Sequence, residues 1–254
     1  MPVSRQQFDI RSADILFEDA DLIVINKPSG IPSQATLDPE RDHCFAAVQR
    51  YLKKQNPNAY AGLHHRLDAQ TSGALLMTKS VDVNAAISEQ FQQHTIEKKY
   101  CAICIGTQID SPDYCKAGNT WVIDKAIGEM PGSRIQKFGV DGKKRKPART
   151  RVTCELFETL RDGGFGVYLC SPETGRTHQI RVHLSSLGLG IIGDSLYGMP
   201  LLRSLRSMDP KRMCLHAQSI AFTHPRTLER MEICAPLPEE MALLIRRVKK
   251  LVGG

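Results

Sequence analysis

The sequence has no apolar run long enough to cross a lipid bilayer, and the segment from Met1 to Gln7 lacks the apolar core of a signal peptide. We therefore expect a cytoplasmic protein that is not held at a membrane. The eight cysteines should then be thiols, because the cytoplasm is reducing. Cys101 and Cys104 form the only CxxC pair, and neither a second pair nor a suitably spaced histidine accompanies it. This pattern favours buried structural cysteines over a zinc site.

Several motifs of cofactor-dependent and hydrolytic enzymes are also missing. The sequence contains neither GxxxxGK[ST] nor HExxH, and Ser72 lies outside any GxSxG elbow. The segment Gly188–Gly193 does fit GxGxxG, but its glycines follow a predicted helix instead of opening one, which argues against dinucleotide binding. His178 and His183 are one residue further apart than a helical i, i+4 pair, so they do not share a helix face. We expect neither a metal nor a cofactor.

Acidic residues are too few to balance the basic ones. Lys and Arg number 34 against 27 Asp and Glu, which gives a net charge of +7 and an isoelectric point near 9.0. A basic balance favours a polyanionic partner. The densest positive run, Lys143–Arg151, includes Lys143, Lys144 and Arg145. Such a run is either a solvated hairpin tip or, in a nucleic-acid-binding protein, a phosphate-binding segment.

The elements follow from apolar periodicity, capping residues and turn residues. The predicted strands are Ile15–Phe17, Leu22–Ile25, Ala74–Thr78, Tyr100–Ile105, Val152–Leu160, Phe165–Cys170, Met213–Phe222 and Met231–Ala235, with hairpins in 107–142 around Trp121–Ile123 and Arg134–Ile135. The predicted helices run from a cap at Asp42 to Lys54, from a cap at Ser80 to His94, from Arg176 to Leu187 with Gly188 as C-cap, and from Pro238 to Lys250. The segment Ile31–Arg41 is expected to be a loop.

One stretch, His64–Lys79, places an acid between cations. Asp68 follows His65 and Arg66, and the predicted turn Thr71–Gly73 leads into a short buried strand. An acid beside an arginine, on a loop that a core strand holds in place, is a candidate reactive group. The alternative is a surface Arg–Asp pair in a tight turn, and the chemistry of these residues alone favours that alternative.

The same stretch resembles a family signature. His65-Arg66-Leu67-Asp68, Thr71-Ser72-Gly73 and Lys79 resemble the HRLDxxTSG…AK signature of the RluA-type RNA pseudouridine synthases, although Thr78 stands where that family usually has alanine. Further resemblances follow in the family's order, from Asn26-Lys27-Pro28 to Ala235-Pro236-Leu237-Pro238. They include Glu97–Tyr100, Thr174–His183 (TGRTHQIRxH), Ile192–Asp194, Tyr197-Gly198, Leu215–Ala217 and His224-Pro225. The ordered series covers nearly the whole chain.

The resemblance implies a fold. We expect the pseudouridine synthase fold, which is a mixed α+β fold with a mostly antiparallel sheet, flanking helices and a central RNA-binding cleft. A single catalytic domain should extend over residues 1–254, with a short N-terminal arm at 1–11. Many proteins of this family carry an additional S4-type RNA-binding domain there, and the arm is too short to contain one.

The resemblance also assigns roles to residues. Asp68 matches the catalytic aspartate, and Arg181 matches the arginine that pairs with it and favours its charged form. Tyr100 matches the aromatic residue that stacks on the target base and is proposed to help proton removal at C5. Arg66 matches the arginine thought to fill the position that the flipped base leaves. The expected RNA-binding residues are His65, Arg66, Lys143, Lys144, Arg145, Arg176 and His178.

The implied activity is the site-specific isomerisation of uridine to pseudouridine in structured RNA, either tRNA or rRNA. The reaction requires no metal or redox cofactor. We expect a monomer that needs no protein partner. Two alternatives remain open at this stage: a non-catalytic RNA-binding or RNA-chaperone protein that keeps the fold, and a hydrolase that uses the same acid and releases uracil.

Overall fold

The structure is a computed structural model that describes residues 7–107, 109, 111–132 and 136–253. Fourteen strands are present in the described residues: β1 (Ile15–Glu18), β2 (Leu22–Lys27), β3 (Gly62–Leu63), β4 (Ser72–Thr78), β5 (Glu97–Gly106), β6 (Thr120–Asp124), β7 (Ile127–Met130), β8 (Lys137–Gly139), β9 (Lys143–Lys146), β10 (Arg149–Leu160), β11 (Gly163–Pro172), β12 (Gly190–Ile191), β13 (Leu215–Thr223) and β14 (Arg230–Cys234). The α-helices are α1 (Cys44–Gln55), α2 (Asn84–Gln92), α3 (Gln179–Ser185) and α4 (Glu239–Gly253). The predicted mixed α+β fold is confirmed.

The chain divides into two compact units. The first unit comprises Met1–Lys98 and Ala217–Pro236, and the second comprises Lys99–His216 and Leu237–Gly254. The predicted strand pattern Arg134–Ile135 lies outside the described residues. None of the helices in the described part of the chain could span a lipid bilayer.

The first unit is built on strands that are adjacent in the order β1-β2-β4-β13, with β3 beside β4 and β14 beside β13. β1 and β2 form an antiparallel hairpin, as the sequence predicts, and β2 pairs antiparallel with β4. α2 covers this sheet because Ile87 is buried and Phe91 packs against the same cluster as Leu22 and Phe222. The position of β4 is thereby fixed by a hydrophobic core, and the residues just before β4 are attached to this fixed strand.

The second unit contains strands in the order β5-β11-β10-β6, with β12 beside β5, and all of these pairings are antiparallel. β10 and β11 pair from Thr150–Pro172 to Leu160–Gly163, which confirms the predicted hairpin across Arg161–Gly164. α4 contacts β10 and buries Met241, Leu244 and Val248. Cys101 and Cys104 lie on β5 and are buried, as predicted, and all eight cysteines are free thiols.

A second, three-stranded sheet in this unit has the order β8-β7-β9 and is antiparallel. We call it the basic sheet, because its edge strand β9 reads Lys-Lys-Arg-Lys and is fully exposed. Lys144 in this strand has a positive φ of 50°, which is unusual for a residue with a side chain.

Two predicted helix caps differ in the structure. Asp42 does not cap α1, because Arg50 and the backbone N–H of Phe8 engage its carboxylate. His43 caps the helix instead, and its Nδ1 accepts a hydrogen bond from the Ala46 N–H. Ser80 caps a 3-10 turn, Val81–Val83, which precedes α2.

Candidate active site

Asp68 lies in the first unit on the loop that joins β3 to β4. Its side chain is partly buried, whereas Arg66 is exposed and Leu67, between them, is buried. The loop therefore presents the arginine to solvent and inserts the leucine into the core. This alternation anchors the backbone immediately before the aspartate.

Ser33 holds the loop on the N-terminal side of Asp68. Its hydroxyl accepts a hydrogen bond from the Leu67 N–H at 3.0 Å and donates to the Leu67 carbonyl at 2.8 Å. Ser33 is itself buried, so these two bonds are shielded from water. Both polar backbone groups of the residue before Asp68 are thus fixed by one side chain.

Lys27 holds the loop on the C-terminal side. Its side chain is fully buried, and Nζ donates to the carbonyls of Pro28, Ile31 and Ala69 at 2.9, 2.6 and 3.0 Å. The Ala69 carbonyl also accepts from the Gly30 N–H at 2.8 Å. A buried ammonium group must be satisfied by such acceptors, so this cluster resists rearrangement.

The turn after Asp68 ends earlier than the sequence predicts. The chain turns at Ala69–Gln70, and Ser72 and Gly73 already belong to β4. Gly73 has a φ of 111°, and a Cβ atom at this position would overlap the backbone of Ala217. Glycine is therefore required where the loop enters the strand.

His65 is engaged within the protein. Its ring stacks on Phe91 with a centroid distance of 4.9 Å, and its Nε2 accepts a hydrogen bond from the Leu76 N–H at 3.0 Å. Burial, together with the nearby charge of Lys98, lowers the pKa of His65 to about 3. A neutral ring that accepts a backbone hydrogen bond favours a structural role, and its predicted contact with RNA stays a prediction.

The other two predicted catalytic residues belong to the second unit. Tyr100 lies on β5 opposite Cys170 of β11, and it is largely buried. Arg181 lies on α3 and is also buried. The proposed pairing of Arg181 with Asp68 stays a prediction.

The helix that carries Arg181 begins later than predicted, at Gln179 instead of Arg176. The Gln179 side chain accepts from the Arg176 N–H at 3.0 Å and donates to the Arg149 carbonyl at 2.9 Å. The local bond to Arg176 and the contact with Arg149 of β10 together hold the preceding segment out of the helix. His178, the residue before α3, has left-handed backbone angles, with φ at 56° and ψ at 21°.

Arg181 forms a bidentate ion pair with Asp194. Nε and the Nη2 atom donate to the two carboxylate oxygens at 2.7 and 2.8 Å, and both side chains are buried. The Tyr197 ring lies 5.0 Å from the Arg181 guanidinium carbon, within the range of a cation–π contact. Burial alone would raise the pKa of Asp194, but the arginine and the N–H groups of Leu196 and Tyr197 hold this pKa below its usual value.

The remaining predicted RNA-binding residues lie just before α3 or on the basic sheet. His178 Nδ1 is 2.8 Å from the Tyr197 hydroxyl, and Arg176 Nε donates to the Pro147 carbonyl at 2.9 Å. Lys143 and Lys144 are exposed on β9, and Arg145 beside them donates to the Val140 carbonyl. Across the described residues, His, Cys, Asp and Glu form no cluster that could hold a metal ion.

Sequence reasoning gave no role to four of these residues, Lys27, Ser33, Asp194 and Tyr197. Asp194 and Tyr197 lie within segments that carry the family resemblance, so a signal for them was present in the sequence. Lys27 also lies in such a segment, but its three backbone acceptors could not be read from the chain. Ser33 lies in a predicted loop and carries no motif.

Comparison with known proteins gives a consistent result. Residues 21–186 match the family described as RNA pseudouridylate synthase. Ribosomal large subunit pseudouridine synthase D of Nitrosomonas europaea is 33% identical over 93% of this chain, and the chain covers 65% of that relative's length. The RNA pseudouridine synthase YlyB of Bacillus subtilis, itself uncharacterised, is 35% identical over 93% of the chain and is covered over 73% of its length.

A solved structure shows the same fold. Human RNA pseudouridylate synthase domain containing 4 has a TM-score of 0.73 at 23% identity, and the match covers 94% of each chain. The fold predicted from the motif series is therefore confirmed.

Proposed function

Because this chain belongs to the RNA pseudouridylate synthase family, we propose that it isomerises specific uridines of structured RNA to pseudouridine, with Asp68 as the nucleophile. The reaction breaks the bond between C1′ of the ribose and N1 of the base, turns the base, and rejoins it through C5. No atom is gained or lost. The proposal keeps the roles that the resemblance gives to Tyr100 and Arg181, and it includes a cytoplasmic monomer that acts without a protein partner.

The observation that carries this proposal is the fixed backbone on both sides of Asp68. A nucleophile must be held within a fraction of an ångström of its productive position, and supporting residues do this when they are themselves locked. Ser33 binds both backbone groups of Leu67, and the buried Lys27 binds the carbonyl of Ala69. A surface Arg–Asp pair in a tight turn would not require a buried lysine and a buried serine beneath it.

The substrate is proposed to be ribosomal or transfer RNA. Two relatives of this chain are named for the large ribosomal subunit, which favours ribosomal RNA of that subunit as the first candidate. The test is a pseudouridine map of total RNA from source cells with and without the gene, read by carbodiimide-dependent reverse-transcription stops. Sites that are lost in the deletion and restored by the wild type but not by Asp68→Asn would support the proposal. If no site is lost, RNA binding without catalysis becomes the better description.

The two hydrogen bonds between Ser33 and Leu67, which we call the Ser33 clamp, should matter for activity. Ser33→Ala leaves the buried N–H and carbonyl of Leu67 without this partner, so we expect a loss of about 1–3 kcal/mol in the free energy of unfolding. The displaced loop should also lower the rate of pseudouridine formation by about 10- to 100-fold. Chemical denaturation and single-turnover assays would measure the two effects.

Ser29→Ala is a matched control, because the Ser29 hydroxyl also donates to a carbonyl of this loop, that of Gln70 at 2.6 Å, but in a solvent-exposed position. Water can replace that bond, so activity should stay within about 3-fold of the wild type. Equal activity losses in both variants would contradict a specific role for the buried clamp.

The basic sheet is proposed to bind phosphate. Neutralising Lys143, Lys144 and Arg145 together should weaken RNA binding at least about 10-fold. Affinity should also depend less steeply on salt, because each lost phosphate contact reduces the slope of log affinity against log salt concentration by about 0.7–0.9. Binding measured at several salt concentrations gives both quantities.

A control for net charge is available in the same unit. Arg246, Arg247 and Lys250 are exposed on α4, and neutralising them removes the same charge from another surface. This variant should keep the salt slope of the wild type. If both triple variants behave alike, the effect is one of net charge, and phosphate contact by the basic sheet is excluded.

A further inference from the structure

Tyr197 connects the basic sheet to α3. The backbone N–H of Phe138, in the middle of β8, donates to the Tyr197 hydroxyl at 2.9 Å. Phe138 and Val140 also pack against the cluster in which Tyr197 and Val182 of α3 are buried. The basic sheet and Tyr197 are therefore joined by one hydrogen bond and by the apolar contacts around it. These contacts limit how far the sheet can move without moving the tyrosine.

Tyr197 also contacts Arg181 in two ways. Its ring lies 5.0 Å from the guanidinium carbon, and its backbone N–H donates at 3.2 Å to the same Asp194 oxygen that binds Arg181 Nη2. A shift of Tyr197 would disturb both the ring contact and the carboxylate. The position of the guanidinium is thus linked to the position of this one residue.

His178 adds a second contact to the hydroxyl. Its Nδ1 lies 2.8 Å from the Tyr197 oxygen, and its ring meets both Tyr197 and Phe138 edge-on. The left-handed backbone of His178 costs about 1–3 kcal/mol for a residue with a side chain, and such strain persists where surrounding contacts hold it in place. The tyrosine hydroxyl therefore joins β8 to His178, the residue immediately before α3.

The basic sheet, which Tyr197 connects to α3, carries exposed positive charges that could contact RNA. Lys143 and Lys144 are exposed on β9, and Lys137 Nζ lies 5.5 Å from the centre of the Tyr197 ring. A phosphate drawn to Lys143 and Lys144 would act on β9, which β7 joins to β8, the strand whose Phe138 N–H binds the hydroxyl.

We propose that Tyr197 is a positioning residue for Arg181, and that its hydroxyl ties this arginine to the basic sheet so that RNA bound there orients the guanidinium for the reaction. The inference rests on the proposed function, because it concerns the efficiency of the same site. It assigns the basic sheet a part in the chemical step in addition to affinity.

Tyr197→Phe tests the hydroxyl and keeps the ring that contacts Arg181. The enzyme would be used in excess over total RNA from cells that lack the gene, and modification of the mapped site would be followed in time. We expect the rate constant at saturating enzyme to fall about 10-fold, while the half-saturating concentration stays close to wild type. The lost hydrogen bond should lower the melting temperature by an amount similar to that in the Tyr168→Phe control, so a fall in rate that follows the melting temperature in both variants would indicate a purely structural role.

Tyr168→Phe is the matched control. The Tyr168 hydroxyl is also buried and donates to a backbone carbonyl, that of Tyr114 at 3.1 Å, but it is not part of this connection. Its removal should leave the saturated rate unchanged. Equal saturated rates for the Tyr197 and Tyr168 variants would overturn the inference.

A double-variant comparison tests the link to the sheet. In the wild-type background, Lys143→Gln with Lys144→Gln should lower both the affinity and the saturated rate. In the Tyr197→Phe background the same change should lower only the affinity, because the link is already cut. Independent, multiplying effects on the saturated rate would overturn the inference. If the wild-type protein forms no pseudouridine, the proposed function itself fails, and this is seen before any variant is compared.

Discussion

The Asp68→Asn variant is expected to lose pseudouridine formation by a factor of about 10⁴ or more, as removal of a nucleophile does in other enzymes. Asparagine has nearly the same shape as aspartate, so the clamps from Ser33 and Lys27 should hold the loop as before. RNA affinity should therefore stay within about 3-fold. Single-turnover assays and equilibrium binding on the mapped RNA separate these two effects.

Asp82→Asn is a suitable control for this loss. Asp82 is a carboxylate of the same unit, is 80% exposed, and lies 3.7 Å from Arg226. Its replacement removes one negative charge without touching the clamped loop, and turnover should be unchanged. Near-normal turnover of Asp68→Asn would show that Asp68 is not the nucleophile.

The products distinguish the alternative chemistries. An isomerase leaves the target base joined to the ribose through carbon, whereas a hydrolase that used Asp68 would release free uracil. A protein that only binds RNA would give neither product, and Asp68→Asn would then match the wild type in every assay. The same reaction mixture, analysed for modified nucleoside and for free base, therefore decides among the three.

Local signals in the sequence were enough to predict most elements. The hairpin of β1 and β2, the strand β5, the β10–β11 hairpin and the helix α4 all follow from apolar periodicity and from turn or capping residues close to them. Gly188 has the positive φ of 77° expected of a residue that closes the turn after a helix. These features depend on neighbours in the chain, which is why pattern reasoning can predict them.

The errors arose where a distant partner changed a local preference. Asp42 is a good helix cap, but its carboxylate is taken by Arg50 and Phe8, so His43 became the cap. The start of α3 moved from Arg176 to Gln179 because the Gln179 side chain binds a strand that lies 30 residues away. No window of local sequence contains that information.

In the candidate site, too, some residues could be proposed from the sequence and others became apparent only in the structure. Asp68, Tyr100 and Arg181 were proposed as catalytic residues because they match residues of a family motif. The supports of the site depend on contacts across long separations: Ser33 binds Leu67 over 34 residues, and Lys27 binds Ala69 over 42. The candidate chemical groups could be proposed from the sequence, whereas the residues that hold the Asp68 loop in place required the structure.

The Asp194→Asn variant should show the largest loss of stability. It leaves the Arg181 guanidinium buried without its ionic partner, and breaking a buried pair in this way typically costs about 3–5 kcal/mol in the free energy of unfolding. Activity should fall as well, because Arg181 would no longer be held. Denaturant unfolding followed by circular dichroism would measure the first effect.

The same pair predicts a pH dependence whose sign can be derived. The pKa of Asp194 is lowered in the folded protein, so its contribution to stability is present above its ordinary value of 3.8 and is lost as the pH falls through the lower, folded value. The wild type should therefore lose stability below about pH 4. The part of this loss due to Asp194 should be missing in Asp194→Asn.

Asp124→Asn is the control for Asp194→Asn, because it breaks an exposed ion pair in the same unit instead of a buried one. Asp124 pairs with Arg149 at 3.2 Å, but its side chain is 65% exposed, so the change should cost less than about 1 kcal/mol. If the Asp194 and Asp124 variants lost comparable free energies of unfolding, burial would not determine how much the Arg181–Asp194 pair contributes to stability. A large loss confined to Asp194→Asn would instead show that the ion pair holding Arg181 is also a main support of the second unit.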